Sequence, residues 1–341
     1  MSFSDPHNPA AEVELRTDII ERPRRNRKNA AIRSFCRETH LHVGNLIQPL
    51  FVAEGLSGRN EINSMPGQYR LSVDEALKEI EACLKVGVST FALFPVVSPS
   101  KKDSLATEGL RSDGFYPKLL KTIKYRFPES TLMTDIAMDP YSTDGHDGFV
   151  EDGKIVNDTT LAILAEMALV QAEAGADILG PSDMMDGRVG EIRAALDENG
   201  FHEVSIMSYT AKYASAFYGP FREALDSAPR FGDKKTYQMD PANVREALRE
   251  ARLDVEEGAD FLMVKPALSY LDVISELSQS FDVPVAAYNV SGEYAMVKAA
   301  GQKGWIDEAR VIDEILLSIR RAGAHVILSY FAKEWANTKR S

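Results

Sequence analysis

Along this chain short apolar runs alternate with longer amphipathic stretches. The β-like runs fall at 46–54 (LIQPLFVAE), 90–96 (TFALFPV), 131–139 (TLMTDIAMD), 177–182, 204–212, 260–266, 283–290 and 325–331. Between them the spacing predicts helices near 73–86, 115–126, 158–173, 188–199, 241–257, 270–279 and 306–321. In the third of these, Leu161, Leu164, Ala165 and Ala168 share one helical face. Three helix-to-strand joins look alike: EAGAD at 173–177, EGAD at 257–260 and RAGAH at 321–325, with KVGVST at 85–90 as a looser fourth. Each puts Gly where a helix needs a left-handed C-cap. Eight strands joined by right-handed crossovers predict an α/β fold of the (β/α)8 TIM-barrel type. The competing doubly wound sheet calls for a Gly-rich turn after the first strand, and VAEGLSGRN at 52–60 lacks GxGxxG spacing.

A barrel gives the run DFLMVKP at 260–266 a meaning. Its Lys265, with Pro266 behind it, falls at the C-terminal end of the sixth strand, the face on which barrel enzymes carry their chemistry. The fifth strand also finishes in a lysine, Lys212. Strand ends one spacing apart share a pocket, and two amines there lower each other's pKa and expose nucleophiles for Schiff-base formation. The pair suggests two carbonyl molecules being joined. The plain alternative is lysines that snorkel to solvent.

The third run and its loop, TLMTDIAMDPYSTDGHDG, supply Asp135 and Asp139 as i and i+4 on one side of a strand, then Asp144, His146 and Asp147. Carboxylates there orient an amine, move protons or hold a hard cation; an Asp-rich turn is the alternative. The connection 213–241 is long for a compact domain and predicts a lid over about 213–240, carrying Arg222, Lys234, Lys235 and Gln238.

Bulk properties narrow the partners. Of 341 residues, 51 are Asp or Glu against 39 Lys or Arg, a formal charge of −12 that disfavours nucleic acid. Two cysteines, Cys36 and Cys83, are too few for a disulfide scaffold or a thiolate zinc centre and suit a reducing compartment. No run has the length and apolarity of a membrane span, and the start lacks a signal-peptide pattern, so a cytoplasmic location is expected. Residues 1–40 read as an N-terminal arm with a basic run, ERPRRNRKN at 21–29, ahead of a barrel domain at 41–341.

The stretches GADFLMVKPALSY at 258–270 and MSYTAKYASAFYGPFREA at 207–224 resemble the porphobilinogen synthase, or δ-aminolevulinic acid dehydratase, family, and the likeness runs from NLIQPLFV to ILSYFAKE. The resemblance implies a lyase of tetrapyrrole (heme) biosynthesis that condenses two 5-aminolevulinate molecules into porphobilinogen with loss of two waters and no organic cofactor. It implies Schiff-base roles for Lys265 and Lys212, and a lid contribution from Arg222, Lys234 and Gln238, where Lys234 replaces the family's commoner Arg. It further implies that Ser291 and Tyr330 hold a substrate carboxylate, and that Asp135, Asp139 and Asp147 orient the amine and move protons. Zinc-dependent members carry cysteines where this chain has Ala137, Asp139 and Asp147. The likeness is therefore to the aspartate-bearing type, for which no zinc is expected and Mg2+ acts allosterically, here through Glu250. Octamers whose arms embrace neighbouring subunits are also implied. A class I aldolase, with one Schiff-base lysine, and a non-enzymatic barrel remain as alternatives.

Overall fold

The computed structural model describes residues 18–339. By its own contacts the chain divides into Met1–His40 and Leu41–Ser341. In the first unit a 3-10 turn, Pro23–Arg27, precedes a short helix, Ala30–Phe35, whose N-cap Asn29 accepts from the Ile32 amide at 2.9 Å. Neither element buries a side chain. Ile20 and Phe35 are 86% and 83% exposed.

In the second unit eight parallel strands close on themselves: β1 (Leu46–Ala53), β2 (Thr90–Val96), β3 (Thr131–Ile136), β4 (Ile178–Pro181), β5 (Ser205–Lys212), β6 (Phe261–Lys265), β7 (Val285–Asn289) and β8 (Val326–Ser329). They pair in chain order, and Leu46 and Ile47 of β1 pair with Ile327 and Leu328 of β8 to complete the barrel. The αβ joins are built as their glycines predict, with φ of +99° at Gly175, +102° at Gly258 and +119° at Gly323. Side chains with a Cβ rarely adopt that region, which is why glycine recurs there.

Helix formation follows local chemistry. Val73–Lys85 starts at Ser72, whose hydroxyl accepts from the Glu75 amide, and buries Ala76, Ile80 and Cys83. Ser291–Gln302 was not anticipated from periodicity. Its start is fixed by Glu293, which accepts from the Val290 and Leu268 amides at 2.9 and 2.7 Å and from Asn289 at 2.8 Å. Two further short helices, Gly219–Leu225 inside the lid stretch and Ala332–Thr338 after β8, also lie outside the predicted set.

One strand boundary differs in a way that matters. β3 ends at Ile136, so Asp139 does not follow Asp135 along a strand. Pro140 has no amide to continue a ladder, and Tyr141 and Ser142 instead donate to the Met138 carbonyl to form a turn. The barrel interior is filled by rings: Phe51 lies 5.7 Å from Phe94 and 6.0 Å from Tyr330, and Phe94 lies 6.5 Å from Tyr288. That aromatic packing holds the strand ends rigid beneath the mouth.

Candidate active site

Lys212 and Lys265 are direct partners in the β5–β6 register, so both amines enter the same mouth. The Lys265 carbonyl accepts from the Tyr213 amide at 2.9 Å and the Tyr218 hydroxyl at 3.0 Å, which fixes the end of β6. Around these two amines close Asp135, Asp139, Asp147, Ser182, Arg222, Lys234 and Gln238. The cavity between them is about 20 Å3. That is room for about one water, so admission of any larger molecule requires the lid to move.

The two lysines sit in unlike surroundings. The Lys212 amine donates to Asp147 at 3.1 Å and to the Ser182 carbonyl. No hydrogen bond or ion pair reaches the Lys265 amine among the described residues; it faces the rings of Tyr288, Phe221, Tyr209 and Tyr218 at 4.7, 4.8, 5.1 and 5.2 Å. Burial, with the neighbouring charge of Lys212, pushes the Lys265 amine down to about 7. At neutral pH a large share of it is therefore a free nucleophile.

The carboxylates divide likewise. Burial and the charge of Asp139 push Asp135 up to about 7. Burial also raises Asp139, with Asp147 adding to it and Lys234 opposing. For Asp147 burial alone would act upward, but Lys212 and Lys234 hold it well below the ordinary carboxylate range. One shared pocket thus holds a carboxylate kept charged and another poised to exchange a proton near neutrality.

The lid is docked onto this cluster. Lys234 is buried and donates to Asp147 at 2.8 Å, with Asp139 at 3.5 Å. His146 holds both flanks of that lysine: its Nε2 donates to the Phe231 carbonyl at 3.1 Å and its Nδ1 accepts from the Tyr237 hydroxyl at 3.0 Å. Only glycine fits at 145, where φ is +68° and a Cβ would lie 2.4 Å from the Ala228 carbonyl oxygen. The Gln238 Oε1 is buried without a hydrogen-bond partner among the described residues.

Other anticipated residues lie further out. Ser291 accepts from the Phe221 amide at 3.0 Å and donates to the Phe217 carbonyl at 3.3 Å, tying the lid to the helix after β7. Tyr330 hydrogen-bonds Tyr288 at 2.9 Å. Neither lines the closed cavity. Glu250 lies on the helix Arg245–Glu256 and faces an outer groove of about 800 Å3 with Asp186, Asp240 and Glu246. Burial raises the Glu250 carboxyl, and Asp254, Asp186 and Glu246 add to the rise against Arg188. Periodicity gave no sign of the ring at 209: β5 carries an extra residue between Ser208 and Ala211 relative to β6, and this bulge breaks the two-residue alternation. In the sequence His146 reads only as part of a loop, and its spacing gives no hint of the lid contact.

Similar proteins share this architecture. The sequence profile of the family described as delta-aminolevulinic acid dehydratase matches residues 20–338. A chloroplastic delta-aminolevulinic acid dehydratase of Oryza sativa is 54% identical over 335 residues, covering 97% of this chain and 78% of that one. The delta-aminolevulinic acid dehydratase of Halalkalibacterium halodurans is 52% identical over 324 residues, covering 94% and 98%. The crystal structure of the Toxoplasma gondii delta-aminolevulinic acid dehydratase (porphobilinogen synthase), in complex with the reaction product porphobilinogen, superposes with a TM-score of 0.93 at 51% identity, covering 94% of this chain and 92% of that one.

The electrostatics of Lys265 can be tested directly. Labelling of Lys265 by a small amine-reactive reagent, followed by peptide mass, is expected to rise roughly tenfold from pH 6 to pH 8, as a group titrating near 7 must. Lys212→Gln removes a neighbouring positive charge and should move that midpoint upward. A wild-type midpoint above pH 9 would show that the amine is not desolvated.

Proposed function

Because this chain belongs to the delta-aminolevulinic acid dehydratase family, we propose that it is a porphobilinogen synthase, a lyase that joins two molecules of 5-aminolevulinate and releases two waters. The observation that carries the reading is the register pairing of Lys212 with Lys265 inside one closed pocket. Each amine takes one ketone. The free amine of Lys265 adds to its carbonyl and expels water as an iminium, which acidifies the adjacent carbon. Loss of that proton gives an enamine, which attacks the second molecule held on Lys212 and makes the C–C bond. The amino group of the Lys212-bound molecule then adds to the Lys265 iminium carbon and displaces Lys265, making the C–N link, and elimination of Lys212 with loss of protons completes the pyrrole and returns both lysines.

Asp135, with its proton exchanged near neutrality, is the residue we assign to accept and return protons, and Asp139 and Asp147 orient the reacting amine. Arg222, Lys234 and Gln238 close over the substrate held on Lys212. Lys234 would exchange its present partner Asp147 for a substrate carboxylate, as a point charge rather than a bidentate clamp. Ser291 and Tyr330 are assigned to the other carboxylate, reached once the lid repacks. Holding both molecules together removes much of the entropy cost of a bimolecular step.

Glu250 is suited to an activating Mg2+. That ion is held by one or two carboxylates and keeps several waters, and the like charges that raise Glu250 are relieved by a cation. A bound Mg2+ would supply charge neutralisation outside the pocket and no group to the reaction. The same hard oxygen ligands, together with the pairing of Asp139 and Asp147 to Lys234, argue against a soft-metal centre. For assembly we propose the homo-octamer that the family resemblance implies; that the helix and turn of the arm bury none of their own side chains suits an arm covered by other surfaces. A reducing, cytoplasmic setting suits two unpaired cysteines. Among the described residues no helix is long and apolar enough to cross a membrane.

Three outcomes follow. Lys265→Ala or Lys212→Ala should each abolish pyrrole formation from 5-aminolevulinate, with borohydride trapping of substrate confined to the remaining lysine. Full turnover by Lys212→Ala would instead indicate a one-imine enzyme of the aldolase kind. Glu250→Gln should remove the rise in rate that Mg2+ gives to chelator-treated enzyme while leaving the metal-free rate near its starting level; an unchanged Mg2+ response would place the ion elsewhere. Deleting residues 1–40 should convert the octamer to smaller species in sedimentation velocity, and an octamer that persists would remove the arm from assembly.

A further inference from the structure

Burial that discharges the Lys265 amine creates a difficulty for the next step. The neutral amine is favoured by leaving water, but condensation makes it a cation: amine plus ketone plus a proton gives an iminium and one water. A site that is merely apolar would oppose the iminium as strongly as it opposes the ammonium. Aromatic faces resolve the conflict, because they exclude water and still present negative potential to a cation.

One ring serves both lysines. Tyr209 lies under the Lys265 Nζ at 5.1 Å and under the Lys212 Nζ at 6.0 Å, whereas the rings of Phe221, Tyr218 and Tyr288 face, among the described lysines, Lys265 alone. The chain makes room for it. A Cβ at Gly180 would stand 2.6 Å from the Met133 Cε and 3.1 Å from the Tyr209 Cε2, and the bulge in β5 brings the Tyr209 ring and the Lys212 amine to the same side of the strand. The Tyr209 hydroxyl is buried with no hydrogen-bond partner among the described residues, unlike those of Tyr218, which donates to the Lys265 carbonyl, and Tyr288, which pairs with Tyr330. Nothing in the packing therefore requires this hydroxyl.

We propose that Tyr209 is a catalytic residue of both condensations, its ring face carrying the positive charge that each lysine acquires as its carbonyl carbon loses water. The inference rests on the two-imine reading above and adds a group to it.

The test compares Tyr209→Phe, which keeps the ring, with Tyr209→Leu, which removes it; Tyr209→Met, which refills the volume with no π face, stands in if the leucine variant does not fold. Each holoenzyme is incubated with 5-aminolevulinate and borohydride across pH, and adducts on Lys212 and Lys265 are quantified by peptide mass. Trapping at Lys265 is expected to fall roughly fivefold to thirtyfold in Tyr209→Leu, the range a desolvated cation–π contact spans, less so at Lys212, and by under about threefold in Tyr209→Phe. The pH midpoint for Lys265 should also move down in Tyr209→Leu, because loss of the ring disfavours the ammonium while Asp135 on β3, Asp139 and Asp147 in the following loop, and Lys212 on β5 stay in place. A loosened pocket that admits water would move it up, towards an ordinary lysine, and would overturn the proposal. So would wild-type trapping in Tyr209→Leu, or a Tyr209→Phe variant as impaired as Tyr209→Leu, which would transfer the role to the hydroxyl. Absence of adducts on both lysines of the unsubstituted enzyme would instead defeat the two-imine reading on which this rests.

Discussion

Like charge in a dry pocket is the constraint on which the rest of this structure depends. Two lysines at one height on neighbouring strands repel each other, and the repulsion grows as water is excluded. The protein meets it in two ways. Lys212 rests on the Asp147 carboxylate and the Ser182 carbonyl, whereas among the described residues no carboxylate is in direct contact with the Lys265 amine, which is surrounded by rings. The first arrangement keeps a charge pair in place, and the second releases a free amine near neutral pH. Two chemically identical side chains thereby acquire different surroundings, and at neutral pH a large share of the Lys265 amine is ready to attack without a separate base.

Asp147 connects that division to the lid. It touches Lys212 on one oxygen and Lys234 on the other, so closing the lid and compensating the pocket are one event. Truncating either lysine would leave a buried carboxylate short of a partner, which is costly in proportion to its burial. A soft thiolate at this position would serve a metal. The carboxylate serves two amines instead, and the loop around it is shaped for that: Gly145 lets the lid backbone come close, and His146 holds the segments on both sides of Lys234. With the cavity reduced to about 20 Å3, the closed form is self-complementary, and substrate must replace protein–protein ion pairs with its own.

The sequence by itself determined the barrel and the common height of Lys212 and Lys265 in it. Eight apolar runs separated by amphipathic stretches, with Gly175, Gly258 and Gly323 at the joins, report local physics: side-chain periodicity and backbone conformations that only glycine adopts readily. Lysines at the ends of two consecutive strands are legible for the same reason, since position along a strand fixes height in a barrel. What only the tertiary structure decided is which groups face one another. Asp139 reached the site through a turn at Pro140 rather than along β3, and Ser291 and Tyr330 stand behind the cavity wall, not on it. The helix at Ser291–Gln302 depends on a buried Glu293 that accepts from the distant Leu268 amide. Tyr209 came beneath the two amines because a bulge, set by pairing with β6, shifted the alternation of β5. Burial and charge at Lys265 likewise come from Tyr288, Phe221 and Lys212, contributed by elements far apart in the chain. Local conformation is written in neighbouring residues, but register, desolvation and electrostatic contact exist only once the strands have closed.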